Sequence, residues 1–237
     1  MNSPPTLLGV QDLTAGYSGN RVLFDISFTV EAGTIALFIG ANGAGKSTLG
    51  RAVIGLAETY TGHVRLAGQA VETWAPDRRI AGGIGFVPQN PVTFPSFRVE
   101  RCLSLAARHV PKQERQARLE RVYELFPEVA AKRHARSELL SGGQQRMLGF
   151  AMAMCGNPKL IVVDEPSAGV APALTTRLLG MLRDLARSQQ MGIMLIEQNV
   201  SAALEVADVV HVLRRGELAG VFRPDELRDR DNVWDLL

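Results

Sequence analysis

The chain has 237 residues, 46% of them hydrophobic and 21% charged, with 26 basic against 24 acidic side chains and a formal charge of +2. That length is the upper end of one domain and buries a core without staples. So small a net charge gives no electrostatic case for nucleic acid or for anionic lipid, and a nucleic-acid partner is not expected. Cys102 and Cys155 are too far apart for a metal-like or redox-like spacing and are expected to be buried thiols in a reducing compartment. Met1-Asn2-Ser3-Pro4-Pro5 lacks the basic start and apolar run of a secretory signal. No apolar stretch approaches the roughly 20 residues that span a bilayer; the richest is Met147 to Cys155. If the protein works at a membrane, other subunits must hold it there.

In chain order, Leu7–Leu13 and Val22–Val30 read as strands separated by the turn-rich Tyr17-Ser18-Gly19-Asn20. Thr34–Ile39 is a short apolar strand that runs directly into a glycine loop, followed by a helix from Gly45 to about Leu56. His63–Leu66 and Ile84–Val87 are further strands, the second ending at Pro88-Gln89. From Phe97 to about Ser137 the apolar residues fall at helical spacing, as Leu119, Val122, Tyr123 and Phe126 do. Alternation returns after Ser141, with a helix to Gly156, a strand to Val163, a helix from Pro172 to Gln189 and a strand Ile193–Ile196. A hairpin, Val209–Leu213 and Glu217–Val221, turns at Arg214-Arg215-Gly216, and the tail reads as short helices. The pattern predicts an α/β fold: a mostly parallel sheet with ligand at the carboxyl ends of its strands, an N-terminal antiparallel β layer and an inserted helical subdomain. One domain over 1–237 is expected, with 1–89 and 158–237 as the core and 90–157 as the helical part.

Gly40-Ala41-Asn42-Gly43-Ala44-Gly45-Lys46-Ser47-Thr48 is a complete phosphate-binding loop placed between a strand and a helix. Its small residues let backbone N–H groups approach phosphates closely, and the following helix brings roughly half a positive charge to the same point. Lys46 would reach the outer phosphates and Ser47 would place its hydroxyl on Mg²⁺. Leu160-Ile161-Val162-Val163 is an apolar strand that ends in Asp164-Glu165. Asp164 is suited to hold Mg²⁺, through water, because that ion keeps several waters and takes few carboxylates. Between these two elements lies Leu140-Ser141-Gly142-Gly143-Gln144, in which Ser141 can cap a helix and two glycines leave amides open to an anion.

A phosphate loop, a Leu-Ser-Gly-Gly-Gln signature and a strand ending in two acids, in this order, resemble the nucleotide-binding subunit of an ATP-binding-cassette transporter over nearly the whole chain. The resemblance implies an ATPase of the P-loop class that binds ATP and Mg²⁺. It implies Glu165 as general base, Gln89 as the amide that binds metal or water and reports occupancy to the helical subdomain, and Tyr17 as the aromatic that stacks on adenine. It further implies that Ser141, Gly142, Gly143 and Gln144 face the outer phosphate held by another subunit, so that two chains sandwich two ATP molecules. The partner would be a companion ATPase subunit or a second copy of this chain. Two integral-membrane permeases would dock near Gln89-Asn90-Pro91, with Phe94 and Phe97 as floor residues. The site would lie at the cytoplasmic face of the inner membrane, peripherally.

Two positions depart from the general family. Glu197-Gln198-Asn199 comes after Ile193–Ile196, so Gln198 stands where a histidine usually touches the outer phosphate, and none of His63, His109, His134 and His211 lies near. Ser167-Ala168-Gly169-Val170 lacks the usual aspartate. With Pro166-Ser167-x-Gly169-x-Ala171-Pro172, these departures resemble the second ATP-binding subunit of importers for branched-chain amino acids and related small amides, which are fed by a separate solute-binding protein. A glutamine cannot become the cation a histidine can, so the site built on Lys46 and Glu165 is expected to hydrolyse slowly beside a companion's. Other readings of the same residues are an exporter or cell-division ATPase, a soluble clamp acting on DNA or the ribosome, and a non-hydrolysing regulator. The last is disfavoured by intact Lys46, Asp164 and Glu165.

Overall fold

Strands with no polar residue in their interior can only be covered on both faces, and this chain has three of them side by side. The computed structural model describes residues 4–90 and 94–228. In chain order the elements are β1 (Thr6–Tyr17), β2 (Asn20–Glu31), β3 (Ile35–Ile39), α1 (Lys46–Ile54), β4 (Glu58–Leu66), β5 (Gln69–Ala70), α2 (Pro76–Ala81) and β6 (Ile84–Val87). Then come α3 (Val99–Ala106), α4 (Arg115–Leu125), α5 (Pro127–Ala130), α6 (Gly142–Met154), β7 (Leu160–Asp164), α7 (Pro172–Gln189), β8 (Gly192–Ile196), α8 (Val200–Leu204), β9 (Val209–Arg214), β10 (Glu217–Phe222) and α9 (Pro224–Arg228).

Two sheets form. One is antiparallel, in the order β2-β1-β4-β5. The other runs β10-β9-β3-β8-β7-β6 and is parallel throughout except for the terminal β9–β10 hairpin. Every residue of β3, β7 and β8 is buried. Successive side chains of a strand point to opposite faces, and the two cores divide accordingly. Ala36, Phe38, Val162, Met194 and Ile196 join α1 and the antiparallel sheet through Leu49, Val53, Leu13 and Leu23. Leu37, Ile39, Val163, Ile193 and Leu195 join Phe150 of α6 and Leu182 of α7 on the opposite face. Val99, Leu103, Val122 and Phe126 belong to that second core as well, so the helical stretch is packed onto the sheet by α6 and shares its core.

The sequence reading places most of these elements within two residues. It ends the first strand at Leu13 and puts Tyr17 in the turn, whereas β1 runs to Tyr17, and it misses short elements whose signal is not local. β4 starts at Glu58, five residues before the expected His63, because Gly16 and Ala15 of β1 offer it partners at Glu58 and Thr59. β5, α2 and α8 are two, six and five residues long, too short for periodicity to register. Arg79 of α2 has a role no pattern announces. Its buried guanidinium donates to the Ala52 and Val53 carbonyls, each at 2.8 Å, and so caps the last turn of α1. The expected tail helices begin with α9; residues 229–237 lie outside the described residues. Both cysteines are buried free thiols, and burial pushes Cys155 up to about 12.

His211 of β9 is buried against the aromatic core, stacked on Phe38 at 4.7 Å and tilted against Phe28 at 5.7 Å. Neither ring nitrogen has a hydrogen-bond partner among the described residues, and burial pushes the imidazole down to about 4. The unfolded chain takes up that proton near the ordinary value of 6.5, so native stability is lost as pH falls from there toward 4, by about 3 kcal/mol in all. His211→Phe should therefore raise the thermal midpoint more at about pH 5 than at about pH 8. An equal shift at both values would show that the histidine does not titrate on unfolding.

Candidate active site

Four neighbouring parallel strands, β6, β7, β8 and β3, release the chain at the same edge of the sheet. Their carboxyl ends lead respectively into Gln89, Asp164-Glu165, Glu197-Gln198-Asn199 and the glycine loop 40–45. The loop closes onto α1 through Gly45, whose φ of 104° suits only glycine and whose Cβ would lie 2.9 Å from Leu23 Cδ2. No side chain caps α1, so its first turn leaves amides and the positive dipole end for a ligand.

Lys46 is only 5% exposed, and its ammonium donates to the Gly40 carbonyl at 2.7 Å and the Ala41 carbonyl at 3.1 Å. Burial lowers its pKa, while the charges of Glu165 and Asp164 act in the opposite direction. Ser47 Oγ donates to Asp164 Oδ1 at 3.1 Å. Gln89 Nε2 donates to Glu165 Oε2 at 2.6 Å, and the Gln198 side-chain amide donates to Asn42 Oδ1. Burial raises the pKa of Asp164, and for Glu165 burial is followed by the adjacent Asp164 charge. Of the residues singled out in the sequence, Asn42, Lys46, Ser47, Gln89, Asp164, Glu165 and Gln198 thus converge at one edge of the sheet. Ser47 Oγ and Asp164 Oδ1 are paired hard oxygens of the kind a small divalent cation takes. Among the described residues no group of three His, Cys, Asp or Glu could hold a metal by itself. An ion held here would need phosphate oxygens and water to complete its shell.

The Ser141–Gln144 turn is not joined to this cluster by any hydrogen bond among the described residues. Ser141 and Gln144 form a reciprocal cap at the start of α6: the serine hydroxyl accepts from the Gln144 amide at 3.3 Å, and Gln144 Oε1 accepts from the Ser141 amide at 3.0 Å. Local capping therefore accounts for the glutamine as well as the serine. Gly143 has a packing reason, since a Cβ there would meet Leu174 Cδ2 at 2.7 Å, whereas Gly142 faces open space.

Tyr17 ends β1 half-buried, with its hydroxyl buried and unpartnered among the described residues. It lines a groove of about 840 Å³ together with Phe86, Gln89, Asn90, Phe94 and Leu105. Phe97 stacks on Phe94 at 5.4 Å, behind the groove lining; Pro91 lies outside the described residues.

Two residues were given no role of their own by the sequence. Arg146, buried in the second turn of α6, donates to the Glu165 carbonyl at 3.2 Å and the Ala168 carbonyl at 3.0 Å. Glu197, 1% exposed, accepts hydrogen bonds from the segment after the two acids and from its own turn. The available signal was a charged residue directly after a wholly apolar strand. The backbone of Glu165 itself is left-handed, φ 45°, at a cost of roughly 1–2 kcal/mol. Its backbone N–H donates to the Ile196 carbonyl at 2.8 Å, and this bond and the Arg146 contact to its carbonyl hold it there.

A helix N-terminus beyond an apolar strand, a buried lysine, a serine–aspartate pair and a second carboxylate are the features expected of a nucleoside-triphosphate site of the P-loop kind. The family model described as ABC transporter matches residues 23–168. The chain is 32% identical over 230 residues to the probable branched-chain amino acid transport ATP-binding protein LivF of Archaeoglobus fulgidus, covering 97% of this chain and 98% of the relative. It is also 32% identical over 212 residues to the high-affinity branched-chain amino acid transport ATP-binding protein BraG of Pseudomonas aeruginosa, covering 90% and 91%. A lipopolysaccharide export system ATP-binding protein, LptB of Haemophilus influenzae, is 29% identical over 231 residues, covering 96% and 95%. Among solved structures, an ATP-binding subunit of an ABC transporter superposes with a TM-score of 0.81 at 28% identity, over 94% of this chain and 92% of that one. A nucleotide-free ATP-binding cassette shares the fold at a TM-score of 0.86 and 22% identity, over 98% of both chains. The chain belongs to the ABC transporter family, as an ATP-binding subunit of the class that hydrolyses ATP. Among the described residues no helix is long and apolar enough to cross a membrane.

Because Asp164 and Glu165 both have raised pKa values, the folded chain holds more protons than the unfolded one just above the ordinary carboxylate range. Stability contributed by these groups therefore falls as pH rises through that window. Glu165→Gln should raise the thermal midpoint of the nucleotide-free chain at about pH 8, with the gain shrinking toward about pH 4. A gain independent of pH would contradict the raised carboxylates.

Proposed function

We propose that this subunit energises import of branched-chain amino acids or related small amides, bound to two membrane-embedded permeases at the cytoplasmic face of the inner membrane and paired with a companion ATPase subunit or a second copy of itself. A separate solute-binding protein would supply the substrate to the permeases. The observation that carries the reading is the 32% identity, over nearly full length, to two proteins named for branched-chain amino acid transport. The Glu197-Gln198-Asn199 run at the end of β8 agrees with it. A second reading, an export ATPase, is favoured by the LptB relative at 29% identity.

The proposed chemistry uses the groups gathered at the sheet edge. Amides of the 40–45 loop and the first turn of α1 cradle the phosphates, and Lys46 leaves the Gly40 and Ala41 carbonyls to meet their charge. Ser47 and Asp164 would hold Mg²⁺, assisted by Gln89; when bound, the ion neutralises charge on the outer phosphate oxygens. Glu165 takes the proton of the attacking water, a role that its raised pKa suits. Gln198 can orient the outer phosphate but cannot bring a positive charge to it. Tyr17 offers its ring to the adenine. Ser141, Gly142, Gly143 and Gln144 face a nucleotide held by the other subunit, because among the described residues no hydrogen bond joins them to the 40–48 loop. A short permease segment occupies the groove beside Gln89, Asn90 and Phe94.

With this chain as the only ATPase, Glu165→Gln is expected to cut hydrolysis by ~10²–10⁴ while nucleotide is retained. In an assembled pair the same change should cost less than replacing the companion's equivalent acid; equal losses would refute the asymmetry. Tagged Glu165→Gln, solubilised from native membranes in Mg²⁺-ATP, should recover two polytopic permeases and a second cassette subunit. Recovery of lipopolysaccharide-export components would establish the export reading. Soluble partners alone would overturn both.

A further inference from the structure

The Glu197 carboxylate is the most heavily used side-chain acceptor among the described residues. Its Oε1 accepts from the Ser167 amide at 2.8 Å. Its Oε2 accepts from Ser167 Oγ at 2.7 Å, from the Gln198 amide at 2.9 Å and from the Asn199 amide at 3.1 Å. It is 1% exposed, and its charge acts on the Arg146 guanidinium. A buried ionised carboxylate costs several kcal/mol unless donors surround it, and here four do. A carboxylate presents two acceptor oxygens and no donor, so all four contacts, three of them shared on Oε2, are attractive.

The two segments joined are the ones on which the hydrolytic chemistry rests. Ser167 lies two residues beyond Glu165, in a stretch that Arg146 grips through the Glu165 and Ala168 carbonyls. Gln198, the next residue after Glu197, reaches the phosphate loop through Asn42. Hydrogen bonds thus run from α6 through residues 165–168 to Glu197, and from there to the phosphate loop. We infer that Glu197 is a positioning residue that fastens the segment following the two acids to the Gln198 turn, so that Glu165 and Gln198 are set, and displaced, as one body. The inference rests on the proposed role of Glu165 as the base.

The test compares Glu197→Gln, Glu197→Asp and Ser167→Ala in the full chain, reading kcat and KM for Mg²⁺-ATP, the thermal midpoint, and amide hydrogen exchange at residues 167, 198 and 199. Replacing one oxygen by an NH₂ group sets donors against donors. Glu197→Gln should therefore lower kcat on the order of tenfold or more, with KM within about threefold, and should speed exchange at all three amides together. Glu197→Asp, which keeps the charge, should recover part of kcat. Ser167→Ala, which deletes one hydroxyl, should speed exchange at 198 and 199 although neither residue is altered. Unchanged kcat in a folded Glu197→Gln, or faster exchange confined to 198 and 199 in that variant, overturns the inference. If Glu197→Gln does not fold, Ser167→Ala decides: unaltered exchange at 198 and 199 overturns it. Glu165→Gln is measured alongside. Loss of hydrolysis there with intact Glu197→Gln sinks the inference alone, whereas full activity in Glu165→Gln sinks the assignment of the base.

Discussion

Burial of β3, β7 and β8 on both faces is the constraint on which the rest depends. Such strands have no room for polar side chains along their length, so the chain's chemistry is displaced to their ends. Parallel pairing puts all the carboxyl ends on one edge, and the right-handed helices that return the chain start from that same edge. The glycine loop, two acids and the Glu197-Gln198-Asn199 turn become neighbours because each is attached to the carboxyl end of one of three adjacent apolar strands. Their distances in sequence, 117 residues between Ser47 and Asp164, carry no hint of contact.

Crowding charge at a sheet edge is unfavourable, and the pKa directions record it. Burial raises Asp164 and Glu165 and lowers Lys46, each toward its neutral form. The lysine settles on two loop carbonyls, Gln89 occupies one oxygen of Glu165, and Ser47 occupies one of Asp164. Each of these contacts pairs a charged group at the sheet edge with a polar neighbour.

The helical stretch is bound to that edge twice over. Apolar residues of α3, α4 and α6 enter the core beneath the sheet, and Arg146 ties α6 directly to the backbone of Glu165. The turn that starts α6 therefore rests on the same segment that presents the second acid. Its serine, its glutamine and one of its glycines have local reasons in capping and packing. The open surface at Gly142 is left for whatever the turn faces.

The motifs, the α/β class and most elements were legible in the sequence, because each rests on a local cause: apolar runs for strands, helical spacing, a glycine loop, a capping residue. Lys46, Ser47 and Asp164 could be named from local motifs, whereas Glu165, Gln89, Gln198 and Tyr17 were named only through the family resemblance. Tertiary structure decided what the pattern could not carry. β4 is extended by its partner β1, Arg79 caps a helix 26 residues or more away, and the helical part shares the sheet's core. Arg146 and Glu197 join the site only because α6 and β8 are brought against the segment after Glu165. Sequence determines interactions made within a few residues of the chain; a buried charge is assigned its partners by whichever distant backbone groups packing leaves without water.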